Sequence, residues 1–322
     1  MSFKLTEEQL MIQSMVRDLA RAEFAPKAME RDKTKEFPAE NLKKLGELGL
    51  MGMMVPAEYG GSGADTVSYV LALAEATKAV FDGDSYILNG RKRFTTTGKN
   101  AGLIIVTAKT DEEKRHRGIS AFLVKQGSPG FITGPLEDKM GLRASDTVDL
   151  IFEDCRIAAE DRLGNEGDGF LIAMTGLDGG RIGIAAQSVG VAQAAFDAAV
   201  RYAQQREQFG QTISKFQGLR WIIADMATEI EAARLLMFSA AEMKDRGENY
   251  TTHASMAKLF ASEMVNRITA KALQMHGGYG FTKEYPVERY YRDARVFTIY
   301  EGTSEIQRIV ISNNIFKDKR NP

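Results

Sequence analysis

The sequence is poor in the residues that build disulfide-linked or metal-dependent proteins. It contains one cysteine, Cys155, which excludes an internal disulfide and a multi-cysteine metal site. The three histidines, His116, His253 and His276, lie far apart and show no spacing typical of metal ligands. We therefore expect no metal site.

An excess of charge and long apolar runs are also lacking. The 42 lysines and arginines balance 43 aspartates and glutamates, so no nucleic-acid partner is expected. The chain starts without the apolar core of a signal peptide, and no stretch approaches about 18 uninterrupted apolar residues. We expect a cytoplasmic protein with no membrane span. Walker, HExxH, nucleophile-elbow and CxxC motifs are absent too.

The patterns that are present divide the 322 residues into three regions. Residues 1–80 show helical apolar spacing with a glycine-rich loop at 56–65, residues 81–163 contain short strand-like runs, and residues 164–322 contain long helical segments. Asn89-Gly90 predicts a β-hairpin turn between two of the runs. We predict an α+β multidomain protein with an N-terminal helical domain, a middle antiparallel β-barrel domain that is incomplete, and a C-terminal four-helix bundle.

Several residues near predicted helix ends have both a structural and a functional interpretation. The glycine pairs Gly179–Gly180 and Gly277–Gly278 are typical of tight turns and close packing, and also of backbone that approaches a ligand. Arg206, at the end of a long helix, suits the helix dipole or a phosphate. Both interpretations stay open from the sequence.

Glu301 is the strongest candidate for a catalytic residue. A glutamate just before a helix is usually a solvated capping residue. Its neighbours Tyr300 and Gly302, however, suit a carboxylate held in an apolar pocket, where burial raises the pKa toward about 6–7. A carboxylate with that pKa is suited to act as a general base.

Seven segments occur in an order that resembles one enzyme family. They are PAEYGGSG, LNGRKRFTTTG, KMGLRASDT, LDGGRIGIAAQSVG, REQFG, QMHGGYGFTKEYPVERYYRDAR and IYEGTSEIQR. Together they span almost the whole chain and resemble the acyl-CoA dehydrogenase family. The C-terminal half is most similar to its short-chain, butyryl-CoA branch.

This resemblance implies a flavoenzyme of fatty acid β-oxidation that uses flavin adenine dinucleotide (FAD). It would dehydrogenate a short-chain acyl-CoA to the trans-2-enoyl-CoA and pass the electrons to an electron-transferring flavoprotein. Glu301 matches the base that removes the proton beside the thioester, while Gly180 matches the position where other branches of the family place the base. The resemblance also implies a homotetramer, built as a dimer of dimers, in which neighbouring subunits share sites.

The remaining site residues follow from the resemblance, position by position. Those that match substrate contacts are a helix-start pair near the CoA arm and two residues beside the base: Asp178, Arg181, Tyr300 and Gly302. Phe94 and Thr96 match residues that lie against the flavin ring, and Arg206 and Phe209 match residues that reach the phosphates and adenine of FAD from a neighbouring subunit. Gln274 and Gly278 match the backbone approach to the cofactor, and Thr303 and Glu305 match contacts near its adenosine half.

The chain departs from the family near residues 79–82. It is about 60 residues shorter than is usual for the family, and the shortfall falls in one block. After Ala79 the family has a helical wall of the acyl pocket, followed by a strand that clamps the flavin. Three explanations are open: residues absent from the sequence as written, a real internal deletion, or a degenerate paralogue. A continuous chain of this length is expected to bind flavin poorly.

Two other functions remain as alternatives. One is an acyl-CoA oxidase-like enzyme, in which oxygen reoxidises the flavin. The other is a catalytically impaired module that binds CoA thioesters or oligomerises, because the flavin-binding segment is missing.

Overall fold

The structure is a computed structural model that describes residues 7–48, 50 and 78–318. The glycine-rich loop predicted at 56–65 and the helix predicted at 67–74 lie outside the described residues. The N-terminal region is helical, as predicted. Its α-helices are α1 (Glu7–Leu19), α2 (Ala28–Thr34) and α3 (Ala39–Glu47), with a π-helical turn at Ala20–Phe24.

A seven-stranded sheet forms the middle of the chain. Its strands are β1 (Lys78–Asp82), β2 (Ser85–Thr96), β3 (Leu103–Lys109), β4 (Ile119–Lys125), β5 (Phe131–Thr133), β6 (Thr147–Ala158) and β7 (Arg162–Leu163). Their order is β5-β6-β2-β1-β3-β4-β7. The barrel was predicted to be incomplete, and the sheet is indeed open, because the short edge strands β5 and β7 do not pair to close it. The prediction of antiparallel pairing is wrong at one place, where β1 runs parallel to β3. Alternating apolar residues predict strands, but they do not predict whether a sheet closes.

The predicted hairpin turn at Asn89-Gly90 is also wrong. The β1–β2 hairpin turns at residues 83–84, where Gly83 has φ 73°. Asn89 and Gly90 lie inside β2, at a shift of register against β6. The side chain of Asn89 bonds with both the backbone N–H and the carboxylate of Asp154 across this shift. The dipeptide therefore lies in a β-bulge, which favours residues with the same backbone freedom that a turn requires.

One face of the sheet is buried. It includes large, almost fully buried side chains from four strands, namely Leu88, Val106, Phe122, Leu150 and Phe152. Each contributes about 2 kcal/mol through burial. This core stabilises the sheet that forms the middle part of the chain.

The C-terminal region is a helical bundle, as predicted. Its elements are α4 (Gly169–Gln205), a small hairpin of β8 (Glu207–Gln208) and β9 (Gln211–Thr212), α5 (Gln217–Asp245), α6 (Thr251–Met275), α7 (Val287–Ala294) and α8 (Ser304–Asp318). Helix α6 lies at the centre and packs against α4, α5, α7 and α8. Its buried stripe contains Ala254, Ala257 and Ala261, whose small side chains let neighbouring helices approach closely.

Arg292 on α7 joins the three regions. Its guanidinium donates to both carboxylate oxygens of Asp32 on α2, at 3.2 and 2.8 Å, and to the carbonyl of Met140 at 3.1 Å. It also pairs with Glu288 one turn earlier on α7. The neighbouring Asp293 accepts a hydrogen bond from the N–H of Leu142 at 2.6 Å. These contacts hold the N-terminal helices and the middle region against the bundle.

The substitution Arg292→Met tests this joint. It leaves the buried carboxylate of Asp32 without its partner, so we expect a loss of about 3 kcal/mol in the free energy of unfolding, measured in urea. Arg246→Met is the matched control, because its pair with Glu242 is solvent-exposed and contributes less than about 1 kcal/mol. Equal losses in the two variants would contradict a structural role for the Arg292 joint.

Candidate active site

Glu301 lies in a sharp turn between the 3-10 helix at Arg295–Thr298 and α8. Its backbone has φ 53°, and the following Gly302 has φ 87°. Two successive left-handed residues reverse the chain within a very short distance. Such a conformation costs a residue with a side chain about 1 kcal/mol, so neighbouring contacts must hold Glu301 in place.

Two fully buried side chains hold the turn through its carbonyl groups. The Nε2 of Gln307 on α8 donates to the carbonyl oxygens of Glu301 and Gly302, at 3.0 and 2.9 Å. The Nζ of Lys258 on α6 donates to the Gly302 carbonyl at 2.7 Å. Both side chains have no exposed surface. The turn is therefore fixed from two helices.

The carboxylate of Glu301 lies against a third helix, at Gly180 of α4. A Cβ atom placed on Gly180 would lie 2.5 Å from Oε2 and 3.0 Å from Cδ of Glu301. A side chain at position 180 and the present position of the carboxylate are thus mutually exclusive. The absence of a side chain there makes the space that Glu301 occupies.

Burial determines the protonation of Glu301. It raises the pKa of this carboxyl from 4.5 to about 7, and the charges of Arg181 and Lys258 act in the opposite direction. Burial also lowers the pKa of the Lys258 ammonium to about 8 and lowers the pKa of Arg181. At neutral pH, Glu301 is therefore poised between its acid and base forms.

Tyr300 forms an apolar wall next to this carboxyl. Its ring lies parallel to that of Phe297, with centroids 5.8 Å apart. Its hydroxyl donates to Oε1 of Gln187 on α4 at 2.6 Å, and burial raises its pKa. Tyr300 is therefore a neutral phenol and supplies no charge to the site.

Asp178 and Arg181 lie well inside α4, so the prediction of a helix-start pair is wrong. Helix α4 begins at Gly169 and runs without a break through Gly179 and Gly180, near which the sequence predicted its start. Arg181 donates to Asp178 at 2.5 Å, and Thr251 on α6 donates to the other oxygen of Asp178 at 2.6 Å. The pair thus joins α4 to α6 next to the Glu301 turn.

An apolar cavity of about 480 Å³ opens on the same helix. It is lined by Leu171, Ile172, Thr175, Gly176, Gly179, Lys244 and Tyr250. Gly179 adjoins Gly180, so the cavity lies beside the position that faces the Glu301 carboxylate.

The predicted cofactor residues fall into separate places. Arg206, Gln274 and Gly278 line a second cavity of about 480 Å³ at the ends of α4 and α6, where the guanidinium of Arg206 lies 5.9 Å from the ring centroid of Tyr279. Phe209, in the β8–β9 turn, is 93% exposed. The cavity thus combines the cation of Arg206 with the backbone of Gly278, where a Cβ atom would meet no other atom within 4 Å.

Thr303 and Glu305 line a third cavity, of about 340 Å³, at the start of α8. The hydroxyl of Thr303 accepts a hydrogen bond from the N–H of Ile306 at 3.4 Å, as a capping residue does. The pKa of Glu305 is lowered by its own backbone N–H and by the Thr303 hydroxyl.

Phe94 and Thr96 lie at the end of β2. Phe94 has φ 56° and is 65% exposed, and the Arg93 guanidinium lies 4.9 Å from its ring centroid. Across the described residues, no side-chain hydrogen bond or ion pair connects these two residues to the Glu301 turn. The structure thus brings together Tyr300, Glu301, Gly302 and Arg181, and leaves the cofactor candidates in three other places.

The sequence reasoning missed Lys258, Gln307 and Gln187. A signal for Lys258 was present, since it lies on the buried alanine stripe of α6, where a lysine is exceptional. Gln307 and Gln187 carry no comparable signal, because a glutamine on a helix is ordinary.

Family models cover most of the chain. The acyl-CoA dehydrogenase N-terminal domain matches residues 6–91, the middle domain matches 58–155, and the C-terminal domain matches 167–316. The chain belongs to the acyl-CoA dehydrogenase family. The resemblance seen in the seven sequence segments is thereby confirmed.

Individual members of this family are similar along their whole length. The short-chain specific acyl-CoA dehydrogenase of Clostridium acetobutylicum is 42% identical over 379 aligned residues, covering 98% of this chain and 100% of the relative. The butyryl-CoA dehydrogenase structure from Megasphaera elsdenii has a TM-score of 0.94 at 37% identity, covering 98% of this chain and all of that one. This acyl-CoA dehydrogenase is accordingly an oxidoreductase.

A further solved structure is named for the electron transferring flavoprotein of Acidaminococcus fermentans. Its matching chain has a TM-score of 0.95 at 42% identity, and the match covers 99% of this acyl-CoA dehydrogenase and 100% of the other chain. In the described ranges, no helix has the length and apolar character needed to cross a membrane. Those ranges also contain no cluster of three acidic, histidine or cysteine side chains arranged to hold a metal ion.

The raised pKa of Glu301 makes stability depend on pH. Between pH 4.5 and about 7 the folded protein keeps a proton that the unfolded chain releases, so its stability falls as the pH rises through this window. We expect Glu301→Gln to remove this part of the loss, which is on the order of 3 kcal/mol. The measurement is the free energy of unfolding of both proteins across the window. Parallel curves would contradict the buried carboxyl.

Proposed function

We propose that this chain catalyses the α,β-dehydrogenation of a short-chain acyl-CoA to the trans-2-enoyl-CoA, with FAD as cofactor. The buried carboxyl of Glu301, with its pKa raised to about 7, is the observation that carries the proposal. The similarity to enzymes named short-chain specific and butyryl-CoA dehydrogenase supports the acyl length.

Glu301 acts as the general base. Its carboxylate takes the proton from the carbon beside the thioester, and a pKa near 7 gives a stronger base than an ordinary carboxylate that is still partly ionised at neutral pH. The C–H bond is a weak acid, so the thioester oxygen also needs a hydrogen-bond donor, for which we propose the backbone N–H of Glu301. The hydride lost from the next carbon would need an acceptor, and this is the chemistry that a flavin held by the residues described below would supply.

The apolar cavity beside Gly179 is proposed to hold the acyl-CoA. Its lining suits a hydrocarbon chain. Tyr300 is proposed to line the acyl pocket next to the base. Asp178 and Arg181 are proposed to lie near the CoA arm. The Nε of Arg181 is buried without a hydrogen-bond partner among the described residues, which fits a group that awaits a polar ligand.

The residues at the proposed flavin site fit parts of FAD. The cavity at Arg206, Gln274 and Gly278 offers a cation and open backbone for phosphate and adenine. The cavity at Thr303 and Glu305 contains Ser304, whose buried hydroxyl has no partner in the described residues, and this suits a polar adenosine half. Phe94 and Thr96 offer an exposed ring and a hydroxyl for one face of the flavin.

We further propose a homotetramer and electron transfer to an electron-transferring flavoprotein. The large exposed side chains of Phe209, Trp221 and Phe281 on the bundle suit an interface between subunits. The similarity to a chain named with the flavoprotein of Acidaminococcus fermentans supports the partner. The three domain ranges and the cytoplasmic localisation stay predictions.

We propose that a segment is missing near residues 79–82, a junction that lies inside β1. The C. acetobutylicum alignment runs over 379 residues, whereas this chain has 322. In addition, β1 pairs with β2 along all five residues but with β3 at a single position, Lys78 with Lys109. Val80 and Phe81 on β1 are more than half exposed. An additional strand between β1 and β3 would pair with the part of β1 that β3 leaves unpaired.

Intact mass and flavin content test the missing segment. We predict that a polypeptide with the 35.6 kDa mass of the sequence binds FAD weakly and turns over slowly, because one side of the flavin site is open. The visible spectrum after gel filtration measures retained FAD. A protein of this mass with one FAD per chain and turnover equal to that of full-length relatives would contradict the proposal.

The substitution Glu301→Gln tests the base in protein supplied with FAD and butyryl-CoA. We expect kcat to fall by about 10²–10⁴-fold, since an amide cannot accept the proton. In the unchanged protein, kcat/KM should rise with pH through about 7 as the carboxyl ionises.

Glu284→Gln is the matched control, since Glu284 is exposed, and it should leave kcat unchanged. Turnover by Glu301→Gln at the normal rate would overturn the proposed base. Peroxide formation without an added acceptor would instead indicate the oxidase-like alternative. Binding of butyryl-CoA with no turnover in either protein would indicate the binding module.

A further inference from the structure

Lys258 is a buried cation that core packing does not explain. It lies in the middle of α6 with no exposed surface, between Ala254, Ala257 and Ala261, which are also fully buried. Removing an ammonium from water costs several kcal/mol, and this cost is offset only by close polar or charged partners. An apolar residue at this position would avoid the cost.

The partner of Lys258 is the turn that carries Glu301. Within the described residues, its Nζ has one hydrogen-bond acceptor, the carbonyl oxygen of Gly302 at 2.7 Å. Among the surrounding charges, the carboxylate of Glu301 does most to favour the charged form of Lys258. The hydrogen bond to Gly302 and the charge interaction with Glu301 thus connect α6 to two adjacent residues of the candidate site.

Gln307 makes the matching contact from α8. It donates to the carbonyl groups of both Glu301 and Gly302, so the Gly302 oxygen accepts from two side chains at once. With these oxygens fixed, the two left-handed residues keep their dihedral angles, and the Glu301 carboxylate stays opposite Gly180. The anchors oppose the relaxation that a strained turn would otherwise undergo.

The charged groups around Glu301 come from two helices. Arg181 faces it from α4 and Lys258 from α6, and both favour its ionised form. The pKa of Lys258 is in turn lowered by the charge of Arg181, and it is raised by Glu305 on α8 and Glu263 on its own helix. Without Lys258, the carboxyl keeps one of its two cations and becomes harder to ionise.

We propose that Lys258 is a positioning residue for Glu301, whose ammonium holds the Gly302 carbonyl and, together with Gln307, fixes the turn that aims the carboxylate. The inference rests on the proposed function of Glu301 as base and extends it to α6. Lys258 acts through the backbone of the turn and through its charge, without contact to the reacting carbon.

Lys258→Met is the direct test, because methionine keeps the length of the side chain and removes the ammonium. We expect kcat to fall about tenfold or more, since a misplaced base reacts slowly. We also expect the pKa of the Glu301 carboxyl to rise above about 7. That pKa is followed by ¹³C NMR of protein labelled at glutamate carboxyls, with the signal assigned by its loss in Glu301→Gln.

Lys271→Met is the matched control on the same helix. Lys271 forms a partly buried pair with Glu229 and, in the part of the chain that the structure describes, has no bond to the Glu301 turn, so this change should alter neither kcat nor the pKa of Glu301. A folded Lys258→Met protein with an unchanged pKa of Glu301 and unchanged kcat would overturn the proposal, even if its melting temperature fell. A lower melting temperature alone is what a purely structural lysine predicts.

A reciprocal measurement covers the case in which Lys258→Met does not fold. If the two groups are coupled, Glu301→Gln must lower the pKa of Lys258 below about 8, as followed by ¹⁵N NMR of labelled lysines and assigned with Lys258→Arg. An unchanged pKa of Lys258 would overturn the inference. Neither NMR titration needs bound flavin or turnover. Normal turnover by Glu301→Gln, by contrast, would overturn the proposed base and leave this coupling to be judged separately.

Discussion

The structure depends on the burial of one carboxyl in a strained turn. Glu301 adopts a left-handed conformation, and its carboxylate lies against the bare backbone of Gly180. Gln307 donates to the carbonyl of Glu301, and Lys258 donates to the carbonyl of Gly302. Burial raises its pKa to about 7, whereas two nearby cations keep it from rising further. Three helices must therefore be placed accurately before the carboxyl has its chemical properties, and most of the bundle serves that placement.

The rest of the fold can be understood from this requirement. The alanine stripe of α6 lets its neighbours approach closely enough for Lys258 to reach a turn 44 residues later in the sequence. The Asp178–Arg181 pair, with Thr251, fixes α4 against the same helix. Arg292 then holds the N-terminal helices and the middle region against the bundle. The sheet lies farther from the carboxyl and carries the residues proposed for the flavin ring.

Local sequence patterns predicted much of this arrangement. The predictions failed where contacts between distant parts of the chain determine the structure. Glu301 was predicted because Tyr300 and Gly302 are its sequence neighbours. Lys258 and Gln307 were missed, because a partner that folding brings from another helix leaves no trace in local spacing. The parallel pairing of β1 with β3 was not predicted, because strand periodicity does not reveal which strands pair or in which direction. Asn89-Gly90 was misplaced because a bulge and a turn favour the same residues. The family resemblance was confirmed, whereas the residue roles it implied stay predictions.

The most direct test of the central claim is exchange of the hydrogens beside the thioester. Butyryl-CoA is incubated in D₂O with the protein and FAD, and deuterium at that carbon is measured by mass spectrometry. If Glu301 is the base, the unchanged protein incorporates deuterium at a rate that rises with pH through about 7, and Glu301→Gln does not exceed the rate without protein. Equal incorporation by the two proteins would contradict the account.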